Sequence, residues 1–300
     1  MFYGIKYNGM TKNKIGIGII TYKRPHFFKH CYASIPWDKV DSAVVVNDGP
    51  EYDLVKEDIT LNDKTHWIQH EVNMKLSRTK NDAIDYLHKD GCEHIFIIED
   101  DTVIQDNNVF EKYIKASKVS GIKHLNYGPG SPFNREQDPN IRYDLHNRHL
   151  AEQDSKPAPR MIVEYKDDVK IALYQHTVAA FVYYHHDCVE KVGLFDEDFN
   201  ENAWEHVEHT YRIIKAGLHP PFWWFADLAD SEDLIKSQKG AIDESSIATE
   251  KDVPWEQQEW AGKVQRGIEL YTKKHGHAPN NPPLVSKTDV VDSLKRLKVL

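Results

Sequence analysis

The chain has 300 residues, of which 40% are hydrophobic and 28% are charged, and its formal net charge is −9. A chain of this length and composition can form one large domain or two small ones around a sizeable hydrophobic core. The negative charge argues against a general nucleic-acid-binding protein, which is usually basic, although it leaves room for a local basic groove.

No stretch of the sequence approaches the run of about eighteen apolar residues that a membrane-spanning helix needs. The first residues also lack the apolar core of a signal peptide. The three cysteines, Cys31, Cys92 and Cys188, are far apart and show neither zinc-binding nor disulfide spacing. Cysteines of this kind are typical of a reduced protein, so we expect a cytoplasmic location.

The first part of the chain alternates apolar strands with helical segments. Strands are predicted within 14–25, 42–50 and 65–73 and at Ile95–Ile98, and helices within 26–35 and 77–91. Ala83, Ile84 and Leu87 form the apolar stripe of the second helix, for which Ser77 is the expected N-cap. This alternation predicts an α/β fold with a largely parallel sheet.

Polar residues follow three of these strands. They are Thr21 to Arg24, Asn47 with Asp48, and the three consecutive carboxylates Glu99, Asp100 and Asp101. Ligands of parallel α/β sheets bind beyond the carboxyl ends of the strands, so we expect the three groups to line one crevice. Adjacent carboxylates repel one another, and they either extend into water or hold a hard cation such as Mg²⁺ or Mn²⁺.

The second part of the chain is less regular. Residues 126–140 are rich in Pro, Gly and Asn and predict a long loop that could act as a substrate flap. Two or three strands with a turn near Asp167 and Asp168 are predicted within 161–186, followed by helices within 185–195 and 202–218. The tail from Ser231 is polar and predicted to be helical, interrupted by an extended stretch at 276–284.

Several side chains outside the acidic triplet are candidates for binding or catalysis, and each has a structural alternative. Asp48 could accept a hydrogen bond from a nucleotide base, or it could serve an Asp-Gly turn. Arg78 and Asn81 lie at a helix start, where they could contact a diphosphate or simply belong to a surface helix. Glu205 lies in the first turn of its helix, where it would stay ionised, whereas Glu208 is placed to pair with Arg212.

These segments in this order resemble the GT-A glycosyltransferases, most of all the large family 2 of inverting enzymes. The resemblance covers about residues 14–230 and rests on "TYKRP", "NDG", "LSRTKN", "EDD", "VGLFDEDF" and "WEHVEHTYRIIKAG". It implies a metal-dependent transferase that moves a sugar from a nucleotide sugar, expected to be a UDP-sugar, to an acceptor hydroxyl. The expected domain spans 1–230, with a nucleotide-sugar half at 14–120 and an acceptor half at 121–230, and 231–300 form a helical extension.

The resemblance also implies roles for particular residues. The nucleotide and the diphosphate sugar would be held by Thr21, Arg24, Asp48, Asn73, Arg78, Asn81 and Asp100. Asp101, with Glu99, would bind Mn²⁺ or Mg²⁺, and Trp204 and His176 would contact the acceptor. Family members usually have Glu-Asp after the tryptophan, with the Asp as the base, whereas this chain has Glu205 and His206, so either of these is a candidate base.

The acceptor is expected to be a glycan. A phage-type DNA glycosyltransferase that acts on modified bases is an alternative, with Arg135, Arg142, Arg148 and Arg160 as a local basic face. A third alternative, of another class, is a non-catalytic binder of nucleotide sugars or glycans. The oligomeric state and the identity of the sugar are not indicated by the sequence.

Overall fold

The computed structural model describes residues 13–137, 155–177, 180–200, 203–238 and 253–298. In chain order its main elements are β1 (Ile15–Thr21), α1 (Pro25–Ala33), β2 (Ser42–Asn47), β3 (Thr65–Gln69), α2 (Lys75–Lys89), β4 (His94–Glu99), β5 (Thr102–Ile104), α3 (Val109–Ser120), β6 (His124–Asn126), β7 (Met161–Glu164), β8 (Lys170–Tyr174), β9 (Phe181–His185), α4 (His186–Val192), α5 (Glu205–Lys215), β10 (Phe225–Leu228), α6 (Ser231–Leu234), β11 (Ile235–Ser237), α7 (Val253–His275) and α8 (Lys287–Lys298).

The central sheet has six strands in the order β3-β2-β1-β4-β9-β6. β1 to β4 are mutually parallel where they pair, and β9 runs antiparallel to β4 and β6. The prediction of an α/β fold with a largely parallel sheet is therefore confirmed. Two smaller antiparallel sheets, β10-β8-β7 and β11-β5, flank it.

The sheet is buried on both faces, and glycines allow α2 to pack closely on β1. A Cβ atom at Gly16 would lie 2.8 Å from Leu87 Cδ2, and one at Gly18 would lie 2.9 Å from Ala83 Cβ. Larger residues would push the helix away from the strand. These two glycines therefore serve packing, and they set the position from which α2 reaches the carboxyl ends of the strands.

Helix α2 begins two residues earlier than predicted, and Ser77 is not its N-cap. The backbone N–H groups of Met74 and Lys75 donate to the carboxylate of Asp48 at 2.6 and 2.9 Å. Ser77 is fully buried inside the helix. The cap comes from a residue far away in the sequence, which a local capping pattern could not reveal.

The C-terminal segments share the core of the remaining chain. Val290, Leu294 and Leu297 of α8 are buried in the main hydrophobic cluster, next to α3, a helix that the sequence analysis leaves unassigned. β11 pairs with β5, directly after the acidic triplet. In the described part of the tail, residues 253–275 and 287–298 are helical with an extended stretch between them, whereas residues 235–237 form a strand that was predicted as helix. The boundary at residue 231 stays a prediction.

The predicted flap is only partly within the described residues. Residues 128–130 and 132–134 form short 3₁₀ turns, and residues 138–154, including Arg142 and Arg148, lie outside the part that the structure describes. No helix among the described segments combines the length and the apolar character needed to cross a membrane.

Candidate active site

The carboxyl ends of β1, β2 and β4 lie side by side. The backbone N–H of Asp48 donates to the carbonyl of Thr21, and that of Asp100 donates to the carbonyl of Ile20, each at 3.0 Å. These bonds extend the pairing beyond the strand ends and fix the polar residues at one edge of the sheet. The predicted convergence of the three polar groups is therefore confirmed at the level of the backbone.

Asp100 is the most enclosed carboxylate of the acidic triplet, with 1% of its surface exposed. Its Oδ2 accepts a hydrogen bond from Thr21 Oγ1 at 2.7 Å, and its Oδ1 pairs with the guanidinium of Arg24. Burial raises the pKa of Asp100 to about 7, although Arg24 and Thr21 act against this shift. Three residues that the sequence analysis assigned to donor binding thus form one contact network.

Tyr52 completes this network and was not identified from the sequence. Its hydroxyl oxygen accepts from the backbone N–H of Arg24 at 3.0 Å and lies 2.8 Å from Thr21 Oγ1. Because the Thr21 hydroxyl donates to Asp100, the Tyr52 hydroxyl is the donor towards Thr21. Tyr52 stands alone in a polar stretch, "EYDLVKED", which gave no signal of a buried hydroxyl.

The carboxylate of Asp101 has fewer strong partners than that of Asp100. Its side chain has a hydrogen bond from Thr102 Oγ1 at 3.3 Å and one with its own backbone N–H. Burial raises its pKa, with a further contribution from the charge of Glu99. An acidic side chain with unused acceptor capacity, next to like charges, is suited to a cation.

Glu99 is paired with a lysine that the sequence analysis overlooked. Lys80 is fully buried, and its Nζ lies 2.7 Å from Glu99 Oε1 in an ion pair whose angles are not those of a hydrogen bond. Lys80 precedes Ala83 and Ile84 by one turn on the buried stripe of α2. A lysine on an apolar stripe is unusual unless it has a partner, and that position was the available signal.

Glu205 is the first residue of α5 and belongs electrostatically to the same cluster. Burial raises the pKa of its carboxyl; Lys80 acts against the shift and Glu99 adds to it. Hydrogen bonds from the backbone N–H groups of Glu205 itself and of His206 also favour the ionised form. The site therefore places a carboxylate within the field of Lys80 and Glu99, apart from the carboxylates at the strand ends.

His206 has a different environment from Glu205, although the two are adjacent. It is 5% exposed, and its Nε2 donates to Asn126 Oδ1 at 2.8 Å. The same oxygen accepts from Thr177 Oγ1 at 2.9 Å, and the Asn126 amide nitrogen lies 3.3 Å from His124 Nε2. His206 is thus held inside a buried polar network, which favours Glu205 of the two candidate bases.

The side chains of the residues at the start of α2 contact other parts of the protein: Asn81 contacts the α4–α5 connection, whereas Arg78 and Asn73 contact α2 itself. Asn81 Nδ2 donates to the carbonyl of Phe195 at 3.0 Å, and its Oδ1 accepts from the Phe195 N–H at 2.7 Å. Arg78 donates to the carboxylate of Asp82 at 3.0 Å. Asn73 Oδ1 accepts from the Lys75 N–H at 3.0 Å. Their predicted contacts with a donor stay predictions, and the structure adds these roles in binding α2 to its neighbours.

Asp48 is linked to Asp82 through a histidine. His70 lies between them, with Nδ1 2.7 Å from Asp48 Oδ1 and Nε2 2.9 Å from Asp82 Oδ2. A groove of about 830 Å³ between β3 and α2 is lined by His70, Asp82 and Arg78, but by none of the acidic residues at the end of β4. The role of Asp48 towards a nucleotide base stays a prediction beside its observed role as a helix cap.

The two predicted acceptor residues, Trp204 and His176, contact different parts of the protein. The indole N–H of Trp204 donates to the carbonyl of Val264 in α7 at 3.3 Å. The ring of His176 lies 5.1 Å from that of Phe133 and 5.3 Å from that of Trp223, and burial lowers its pKa to about 4. α7 thus forms one wall around Trp204, and an aromatic group surrounds His176.

The chain after residue 231 contributes to the acidic end of β4 directly. The Gln238 side-chain amide donates to the carbonyl of Asp100 at 2.6 Å, and its backbone N–H donates to the carbonyl of Asp101 at the same distance. Gln238 was not among the predicted site residues, because it is far from the motifs in the sequence. It fixes the backbone of the two aspartates, so part of the predicted extension supports the site.

A divalent cation fits this set of residues. Asp100 is committed to Thr21 and Arg24, and Glu99 is paired with Lys80, which leaves Asp101 as the best oxygen ligand in the triplet. Mg²⁺ and Mn²⁺ sites in enzymes of phosphorylated substrates commonly use one or two carboxylates, with phosphate and water filling the remaining positions. Burial raises the pKa values of Asp100 and Asp101, and the neighbouring carboxylates add to the shift, so a cation here would favour their ionised forms.

No protein-family model matches the sequence, and no curated protein matches it. Similar solved structures include GalNAc-T7 with UDP, GalNAc and Mn²⁺, with a TM-score of 0.51 and 11% identity over 76% of this chain and 44% of that chain. S. aureus TarS has a TM-score of 0.45 and 12% identity, covering 78% of this chain and 38% of that chain. The mannosyltransferase PcManGT from Pyrobaculum calidifontis, in complex with GDP-Man and Mn²⁺, has a TM-score of 0.42 and 11% identity, covering 67% and 51%.

The chain therefore spans about half or less of the length of these three proteins. Of the three, GalNAc-T7 has a TM-score above 0.5, and at 11% identity it establishes the fold and nothing finer. The chain has the GT-A fold.

Proposed function

We propose that this protein is a metal-dependent, inverting glycosyltransferase that moves a sugar from a nucleotide sugar, in the first place a UDP-sugar, to a hydroxyl group of a glycan. The observation that carries the proposal is that the carboxylates at the acidic end of β4 differ in their partners. Asp100 is locked by Thr21 and Arg24, and Asp101 keeps free acceptor capacity. Glu205 provides a further carboxylate within the field of Lys80.

The donor would lie along the carboxyl ends of β1, β2 and β4. Thr21, Arg24 and Asp48 would hold the nucleoside, since they surround the point where these strand ends meet. Asp100 would face the ribose or the sugar. Arg78 is half-exposed and positively charged, which suits it to the diphosphate.

Asp101 would hold Mn²⁺ or Mg²⁺, with Glu99 beside it. When bound, the metal compensates the negative charge that develops on the departing nucleoside diphosphate. The complex of GalNAc-T7 with UDP, GalNAc and Mn²⁺ supports a divalent cation in this fold. Gln238 and Tyr52 would keep Asp101 and Asp100 in place through the bonds described above.

Glu205 would act as the general base. Its carboxylate takes the proton of the acceptor hydroxyl while that oxygen attacks the anomeric carbon. The bond from the anomeric carbon to the diphosphate breaks on the opposite side, which inverts the configuration. Lys80 favours the ionised form of Glu205, and His206 stays in its network with Asn126, so the proton goes to the carboxylate.

A glycan acceptor is favoured over DNA because the two described arginines of the proposed basic face contact other parts of the protein. Arg135 is mostly buried, donates to the carbonyl of Pro129 at 2.8 Å and pairs with Glu232. Arg160 donates to the carbonyl of Trp223 at 3.0 Å, and its guanidinium lies 4.0 Å from the centre of the Trp224 ring. Both described arginines of that face are therefore engaged within the protein. Retention of modified duplex DNA at low salt in a gel-shift assay would reverse this preference.

The first experiment is a thermal-stability panel of nucleotides and nucleotide sugars, each with and without Mn²⁺. A ligand that binds the folded state raises the melting temperature by mass action. We expect one class of nucleotide to stabilise the protein only when Mn²⁺ is present, and we expect Asp101→Ala to abolish the shift. If no nucleotide raises the melting temperature, the transferase proposal fails.

The same panel separates a transferase from a non-catalytic binder when donor hydrolysis is measured beside it. A transferase bound to donor and Mn²⁺ releases the nucleoside diphosphate slowly to water and faster with an acceptor. A binder shows the thermal shift without either reaction. Glu205→Gln should remove acceptor-dependent turnover and keep the thermal shift, whereas in a binder it would change neither measurement.

A further inference from the structure

The amino end of β4 carries a second group of ionisable side chains, well away from the acidic triplet. β4 and β9 are antiparallel, and His94 lies opposite His185 in the ladder. Directly beyond this pair, the backbone N–H of His186 donates to the carbonyl of Glu93 at 2.9 Å. Since β4 has six residues, this end lies about 20 Å from the triplet.

Glu93, His185 and His186 are arranged as ligands of a metal ion. Each offers one ligand atom, and these atoms all lie within 4.8 Å of one another. Glu93 Oε1 is 3.5 Å from His185 Nε2. Ligand atoms of a tetrahedral zinc ion lie about 3.3 Å apart. Small rotations of side chains on a hydrogen-bonded backbone would therefore close the site.

Buried nitrogen atoms at this end lack hydrogen bonds. His186 Nδ1 is buried without a partner among the described residues, and so is Nε2 of the neighbouring His94. Glu190 Oε1 lies 3.3 Å from His186 Nδ1, close enough for an ion pair but outside hydrogen-bond alignment. An unsatisfied buried nitrogen is costly, and a metal ion bound through His186 Nδ1 would satisfy it, while His186 Nε2 lies 3.3 Å from Asp187 Oδ1.

Asp187 supplies the support that metal-bound histidines usually have. Its Oδ2 lies 3.2 Å from His185 Nδ1, the nitrogen on the opposite side of the ring from Glu93, and its backbone N–H donates to that nitrogen at 3.3 Å. Metal-ligating histidines commonly donate their second N–H to a carboxylate, so a metal ion on Nε2 would move the ring proton to Nδ1, where the Asp187 carboxylate would accept it. Lys123 Nζ lies 3.6 Å from the same Asp187 oxygen, so a cation already balances this supporting carboxylate.

We propose that Glu93, His185 and His186 bind a divalent transition metal, with Zn²⁺ as the preferred ion, Asp187 orienting His185 and water in the fourth position. Two imidazoles and one carboxylate suit Zn²⁺ and disfavour Mg²⁺ and Ca²⁺, which prefer oxygen. The ion would join the start of β4 to the β9–α4 junction. It is a structural site, independent of the cation at Asp101.

The test measures Zn²⁺ binding to the chelator-treated, full-length protein by equilibrium dialysis. Co²⁺ serves as a spectroscopic probe of the same site. We expect one Zn²⁺ per chain in the wild type and in Asp101→Ala, a higher melting temperature with Zn²⁺, and the visible absorption of low-coordinate Co²⁺. His186→Gln and Glu93→Gln should each weaken Zn²⁺ binding by about tenfold or more. His30→Gln, at an exposed position of α1, is the matched control and should bind like the wild type.

Melting temperatures without metal show whether the two variants fold, and Mn²⁺-dependent nucleotide binding should be unchanged in both. Equal Zn²⁺ affinity in the wild type, His186→Gln and Glu93→Gln would overturn the proposal. So would the loss of the Zn²⁺ site in Asp101→Ala, because the ion would then belong to the acidic triplet. Failure of the transferase proposal would leave these results unaffected.

Discussion

Two groups of ionisable side chains lie on either side of helix α5, and burial shifts their pKa values in opposite directions. On one side, burial raises the pKa values of Asp100, Asp101 and Glu205, and the cations of Arg24 and Lys80 act against that shift. On the other side, burial lowers the pKa of His209 to about 3 and that of His219 to about 4, and it holds that of His124 well below the usual range. In both groups burial opposes charge, but only the acids have counter-ions.

The hydrogen bonds of the two groups explain the difference. His209 Nε2 donates to the carbonyl of Gly193 at 3.1 Å. His219 Nδ1 donates to the carbonyl of Pro220 at 2.8 Å, while its Nε2 accepts from the Ala226 N–H at 3.2 Å. The carboxylate of Asp101, by contrast, has a long bond from Thr102 at 3.3 Å and one with its own backbone N–H. His209 and His219 are neutral residues that donate to backbone carbonyls inside the core, whereas an acid with unused acceptor capacity is suited to a ligand.

The largest expected effect is that of Asp101→Ala on sugar transfer. Removing the ligand that holds the cation withdraws several kcal/mol of charge stabilisation from the departing diphosphate, so we expect a loss of about 1000-fold or more in turnover. The rate at which the donor is cleaved in the presence of Mn²⁺ measures this loss of turnover. Asp63→Ala, at an exposed acid without a role in the site, is the control. A variant within tenfold of the wild type would show that Asp101 is not the essential ligand.

Glu205→Gln tests the base and compares two acids of one helix. We expect transfer to fall by about 100- to 10,000-fold, because the amide cannot take the proton, while the donor still binds. Its counterpart is Glu208→Gln. Glu208 is 2% exposed and receives two hydrogen bonds at 3.0 Å from Arg212, as its i,i+4 spacing predicted. That variant should lower the melting temperature and keep the rate per folded molecule; the reverse pattern would make Glu208 the base.

Lys80→Met tests whether the acids depend on their counter-ion. Breaking a buried ion pair leaves Glu99 uncompensated, and because Glu99 is partly exposed we expect a loss of about 2 kcal/mol in the free energy of unfolding. Adding Glu99→Gln should restore part of that loss in a double-mutant cycle measured by denaturant unfolding. Additive effects of the two substitutions would show that the pair is not coupled.

The same lysine should also set the pH dependence of the reaction. Lys80 favours the ionised form of Glu205, so its removal raises the pKa of that carboxyl further. The base must be ionised to act, and the acidic limb of the rate profile should therefore move to higher pH in Lys80→Met. Profiles of kcat/KM against pH measure this shift. A limb that stays in place, or moves to lower pH, would remove Glu205 from the field of Lys80.

Much of the donor side could be predicted from the sequence, because it depends on local patterns. The apolar runs of β1, β2 and β4 and the polar residues after them were sufficient to place Thr21, Arg24 and Asp100 at one edge of the sheet. Alternating strands and helices constrain the sheet to be largely parallel. The position of these residues follows from the strands themselves and needs no knowledge of distant contacts.

The parts that could not be predicted depend on residues far apart in the sequence. Gln238 supports the acidic end of β4 from a distance of 138 positions. Asp48 caps α2 from 27 positions before Lys75, which is why the helix start was misplaced. Arg135, which is mostly buried, pairs with Glu232, 97 positions away. Composition and periodicity carry no information on such contacts, whereas the buried lysine on α2 was visible as an exception to the apolar stripe.

The smallest expected effect concerns the histidine side of α5. The unfolded chain binds a proton at His209 below pH of about 6.5, but burial keeps the folded state neutral, so stability falls as the pH drops. Between pH 7 and 5 this residue should account for about 2 kcal/mol of the decrease. His209→Gln can still donate to Gly193 and does not titrate, so its unfolding free energy should decline less steeply by that amount, as measured with urea at both pH values.

His30→Gln, exposed on α1, is the control, and its unfolding free energy should decline like that of the wild type. Identical slopes for His209→Gln and the wild type would mean that His209 takes up a proton in the folded state, and that the histidines, like the acids, carry charge inside the protein.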